Sequence, residues 1–113
     1  MSGMIAWSRV NELREEIGNE DFDEVVALLL REVEEVIGRL RDAPEIERME
    51  ADLHFVKGSA LNLGFRSLAE LCDLGERQCA AGAANEVRLE EIIGAYERSK
   101  TRFQSEMPRF LGS

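Results

Sequence analysis

Apolar residues recur along this chain at steps of three and four over five successive segments, the spacing of amphipathic helices. The first segment predicts a short helix from about Ser8, a suitable N-cap, to Ile17, with Val10, Leu13 and Ile17 on one face. Gly18 and Asn19 end it. Asn19 or Asp21 would cap a second helix, from Phe22 to about Leu40. Its apolar positions Phe22, Val25, Val26, Leu29, Val33, Val36, Ile37 and Leu40 form a continuous stripe. Asp42-Ala43-Pro44 reads as a turn into a third helix, with Pro44 in its first turn. That helix carries Ile46, Met49, Leu53, Val56, Ala60 and Leu63, and Gly64 suits a left-handed cap at its end. Ser67 would cap a fourth helix through Leu68, Leu71, Cys72, Leu74, Gly75 and Cys79, ending near Gly82. A fifth, from about Asn85, presents Val87, Leu89, Ile92, Ile93, Tyr96, Phe103 and Met107, with Pro108 at its end or at a kink.

Four substantial amphipathic helices with short connections cannot bury their stripes alone. The expected fold is therefore all-α, an antiparallel four-helix bundle with a short additional N-terminal helix capping one end. No repeat or linker divides the chain, so residues 1–113 are expected to form a single domain.

Composition narrows the function classes. With 44% apolar and 33% charged residues the chain reads as a globular domain, and its 113 residues can bury a core without staples. A formal net charge of −9 sets it against nucleic acid and anionic membrane, both of which would repel it. No apolar run is long enough to span a bilayer, and the N-terminus lacks a basic segment followed by an apolar one, so the cytoplasm is the expected compartment. Cys72 and Cys79 stand in one helical segment, about 10 Å apart at 1.5 Å rise per residue, too far for a disulfide. Both read as small buried apolar residues.

Chemistry concentrates at His54, the one histidine. At about 100° per residue it lies roughly 90° or more from the centre of the third helix's apolar stripe, on an exposed face. An imidazole nitrogen can accept a phosphoryl group. Lys57 and Gly58, three and four residues on, are its neighbours on that side of the helix. A lysine near the ring can pair with phosphoryl oxygens; by itself it would read as a surface lysine paired with Asp52 or Glu50. A mid-helix glycine costs about 0.5–1 kcal/mol against alanine. Gly58 is either a tolerated glycine or one that keeps space open for another molecule.

The string Leu53-His54-Phe55-Val56-Lys57-Gly58-Ser59-Ala60-Leu61-Asn62-Leu63-Gly64 resembles the signature of the histidine-containing phosphotransfer (HPt) domain family. That signature is a histidine followed by x-x-Lys-Gly-Ser/Ala, a small residue, and a glycine ten positions on. The resemblance continues through Ser67-Leu68-Ala69-Glu70-Leu71-Cys72 to Glu76, and Trp7 to Leu40 matches only in apolar spacing. Leu53 departs from the pattern, since alanine commonly precedes the histidine. The resemblance implies that His54 is phosphorylated at Nε2, that Lys57 neutralises phosphoryl charge, and that Gly58 leaves room for an incoming receiver domain. It implies that Gly64 ends the helix and that Glu76, on the next helix, accepts a bond from Nδ1–H. Without it, Glu76 would read as a solvated charge.

The implied function is a phosphorelay intermediate that shuttles a phosphoryl group between receiver-domain aspartates. No nucleotide loop is present, so no autokinase activity is expected. No cofactor is expected on this chain, with Mg2+ on the receiver instead. The partners implied are response-regulator receiver domains and a hybrid sensor histidine kinase, without nucleic acid or membrane. The chain is expected to be a monomer and, with complete helices and short tails, free-standing. Two other readings compete: a non-catalytic helical interaction module, and a metal-binding bundle using Glu50 and His54, which lacks a second Glu-x-x-His motif.

Overall fold

The computed structural model describes residues 4–110, with side chains as far as Met107. Five α-helices account for most of it: α1 (Trp7–Ile17), α2 (Asn19–Asp42), α3 (Ile46–Leu63), α4 (Arg66–Ala80) and α5 (Leu89–Phe110), with a 3₁₀ turn at Ala84–Glu86 before α5. Among the described residues there is no strand, only one isolated bridge between Ile5 and Phe65. α2 packs against both α3 and α5, α4 packs against both α3 and α5, and α1 lies on α2 and α3. None of the described helices is long and apolar enough to cross a membrane.

The stripes read from the sequence form the core. Val26, Val33, Val36, Ile37 and Leu40 of α2 meet Met49, Leu53, Val56, Ala60 and Leu63 of α3, with Leu68 and Cys72 of α4 and Ile92, Tyr96 and Phe103 of α5. An aromatic group closes the end where α1 lies. Trp7 stacks on Phe103 at 5.7 Å between ring centres, and Phe65 meets Phe103 edge-on at 5.6 Å.

Several expected details are corrected. Ile46 is 64% exposed and Leu74 48%, so neither joins the core. Cys79 is half-buried rather than buried, while Cys72 is enclosed; both are free thiols. None of the side-chain caps forms. α1 starts at Trp7 after Ala6, α2 at Asn19 after Gly18, and α4 at Arg66 after Phe65, which leaves Ser8, Asn19, Asp21 and Ser67 inside their helices. Pro44 lies in the turn before α3, whose N-cap is Glu45. α5 starts at Leu89, not Asn85, and runs on past Pro108 to Phe110.

At the start of α4 the chain uses backbone pairing at long range instead of a side-chain cap. Ala6 N–H donates to Gly64 O at 2.7 Å and Arg66 N–H donates to Met4 O at 2.9 Å. The segment before α1 is thus strapped to the α3–α4 link, and it accepts from the first backbone donor of α4.

Gly64 ends α3 as expected. Its φ is +77°, and Phe65 N–H donates to Ala60 O at 2.8 Å while Gly64 N–H donates to Leu61 O at 3.3 Å. That pair of bonds is the Schellman arrangement. It turns the chain within two residues and sets α4 alongside α3.

Candidate functional site

α3 and α4 build the site between them. Leu53, fully buried on α3, fixes the helix against the core, and the residue after it, His54, therefore emerges on the outer face with its side chain 74% exposed. Gly75 faces Leu53 from α4; a methyl group there would stand 2.8 Å from Leu53 Cδ1. The missing side chain lets the two helices approach closely at the level of the histidine. Glu76, next along α4, is thereby brought to the imidazole.

Glu76 Oε1 lies 2.7 Å from His54 Nδ1. Its other oxygen, Oε2, lies 2.6 Å from Lys57 Nζ. The carboxylate is 13% exposed, so its charge is held largely out of water between an imidazole and an ammonium group. Lys57 Nζ also lies 3.3 Å from Asp73 Oδ1, and Asp73 Oδ2 lies 3.2 Å from Arg77 Nη2. The bond to Glu76 above all, and then that to Asp73, raises the Lys57 pKa over its ordinary value, against the effect of desolvation. The ammonium is charged at any physiological pH.

The expected partners of Lys57 are thus corrected. Asp52 pairs with Arg39 at 2.9 Å instead, and Lys57 reaches across to α4. Gly58 is exposed one turn beyond His54, and a methyl group there would meet no heavy atom within 4 Å. Beneath the site, burial pushes the Cys72 thiol up to about 12, so it stays protonated and unreactive. An open trough of about 880 Å³ begins at Lys57 and Asp73 and runs between α3 and α4 toward Ala6 and Arg9.

The structure places Glu76 in contact with both His54 and Lys57 and leaves Gly58 beside them as bare surface. The sequence reading missed Asp73, Arg77 and the packing role of Gly75. Asp73 and Arg77 could have been found as an i, i+4 pair one turn from Glu76. Among the described residues no group of three or more histidine, cysteine, aspartate or glutamate side chains is arranged to hold a metal ion.

The exposed imidazole, with a carboxylate on one nitrogen and a lysine nearby, suits a group that must be accepted from one protein and released to another. The Hpt domain family model matches residues 24–105, which takes in α3 and α4 whole and leaves α1 outside. No curated protein and no solved structure matches the chain. The chain belongs to the Hpt domain family, whose members carry phosphoryl groups on histidine in two-component phosphorelays.

Proposed function

We propose that this protein is a phosphorelay intermediate that takes a phosphoryl group from the phospho-aspartate of one receiver domain and passes it to the aspartate of another, with His54 as carrier. One observation carries the reading: the imidazole is exposed, Glu76 engages Nδ1, and Nε2 has no partner among the described residues. A carboxylate at Nδ1 favours the tautomer with its proton there, which leaves the Nε2 lone pair as nucleophile.

In the first step that lone pair forms an N–P bond while the P–O bond to the receiver's aspartate breaks. The aspartate leaves with the bonding electrons. No proton has to move, because Nδ1 keeps its hydrogen and the ring becomes cationic. Glu76 stabilises that new positive charge, and Lys57 supplies positive charge to the phosphoryl oxygens. Gly58 leaves room for the receiver. At the second receiver the same bonds form and break in reverse. Transfer of this kind is mostly positioning and charge stabilisation, with Mg2+ supplied by the receiver.

On this reading α2 to α5 form an antiparallel four-helix bundle with α1 across one end. The short links between successive helices and the contact of α2 with α5 support that arrangement. Residues 1–113 act as one monomeric domain in the cytoplasm, between a hybrid sensor histidine kinase and response regulators.

The test is phosphorylation by phosphorylated receiver domains of the same organism. His54→Gln should abolish acid-labile, base-stable labelling while far-UV circular dichroism stays unchanged. Persistent labelling of that variant overturns the assignment.

A further inference from the structure

The acceptor site holds more negative charge than phosphoryl binding requires. Glu76 serves both the imidazole and Lys57. Asp73, one turn earlier on α4, also serves Lys57, at 3.3 Å, and leans on Arg77 at 3.2 Å. At 47% exposed, Asp73 needs no ion pair to offset burial. Its placement beside the lysine expected to meet phosphoryl oxygens calls for another account.

We infer that Asp73 is a positioning residue that competes with the phosphoryl group for Lys57, and so sets how tightly His54 holds its cargo. The inference rests on His54 being the acceptor. With His54 bare, Lys57 is clamped between Glu76 and Asp73. An arriving phosphoryl group draws the ammonium away from Asp73, which falls back on Arg77. Phosphorylation therefore exchanges one ion pair for another instead of adding one. The negative charge of Asp73 also repels the phosphoryl oxygens. Both effects keep the carried group loosely held, as a carrier requires when its loaded form must serve as the next donor.

Phosphoramidate, a small-molecule donor, loads histidine without any partner. The ratio of phosphohistidine to free histidine at fixed phosphoramidate and ammonia, read from the proton NMR signals of the single imidazole, reports how tightly the site holds the group. Asp73→Asn should raise that ratio about threefold or more, the order expected for removing one nearby unit charge at a solvent-exposed site. Asp73→Glu should return it toward wild type. Arg77→Gln leaves Asp73 to Lys57 alone and should lower it. In a Lys57→Ala background the effect of Asp73→Asn should shrink. An unchanged ratio in Asp73→Asn, or an equal change with and without Lys57, overturns the inference and leaves the role of His54 standing. Wild-type protein that gains no phosphohistidine overturns the reading of His54 itself.

Discussion

Replacing Gly58 by alanine is expected to make the protein more stable, although the residue belongs to the motif beside His54. Glycine inside a helix costs about 0.5–1 kcal/mol relative to alanine. Gly58 lies well inside α3, is exposed, and would place a methyl group more than 4 Å from any neighbour, so no steric term offsets the gain. For a domain of this size the melting temperature should rise by roughly 2–6 °C. Gly75→Ala is the control, with the same propensity gain but a methyl group 2.8 Å from Leu53 Cδ1. Leu53 is fully buried, so moving its Cδ1 aside disturbs the core around it; overpacking of about 1–3 kcal/mol should win and lower the melting temperature. Thermal unfolding followed by circular dichroism reads both. Transfer kinetics on the same proteins separate fold from docking, since Gly58→Gln or Gly58→Glu should slow transfer by bulk without unfolding the chain. A melting temperature that falls in Gly58→Ala, or two glycine variants that behave alike, would refute the claim that local space decides the sign.

Three further outcomes follow from particular contacts. Gly64→Ala forces a side chain onto φ +77° and within 2.8 Å of Ala6 O, so denaturant unfolding should show a loss of about 2 kcal/mol or more. Ser99 is fully buried with no hydrogen-bond partner for its hydroxyl among the described residues; Ser99→Ala should leave stability equal or raise it by about 1 kcal/mol, and a clear loss would mean that the hydroxyl is bonded. The bond from Lys100, then that from Tyr96, holds the Glu34 carboxyl below its ordinary value of 4.5. Its contribution to stability is thus complete above that value and lost as pH falls through the depressed one, so Glu34→Gln should flatten the acid limb of a stability–pH curve. Parallel acid limbs in the two proteins would count against the clasp.

What the sequence made legible was whatever repeats within a helix. The stripe of α3 placed Leu53 inward and His54 outward, and both lie as the spacing implies. Gly64 was legible as a stop because few other residues accept its backbone angle. The caps were not. Ser8, Asn19, Asp21 and Ser67 have the right chemistry, yet each helix starts one or more residues earlier; at α4, Met4 and Ala6 pair with Arg66 and Gly64 across the fold, and no local pattern announces such pairing. Phe65 escaped the core reading for a related reason: it is fully buried in a link, where helical periodicity does not apply. Lys57 was given intrahelical partners because only those can be counted from spacing. Its real partners stand on another helix, reached through the close approach at Gly75.

The two-residue link between α3 and α4 has a kinetic consequence. These helices share the most extensive helix–helix contact in the protein and are neighbours along the chain, so they can pair at little loop-closure cost. The strap from Ile5 to Phe65 joins distant parts of the chain and is favoured to close later. Values of φ from folding kinetics would then be high at Leu53 and Leu68 and low at Ile5. His54, Lys57, Asp73 and Glu76 all belong to the early pair. Unfolding that begins at the amino-terminal end would leave their constellation assembled until the hairpin itself parts.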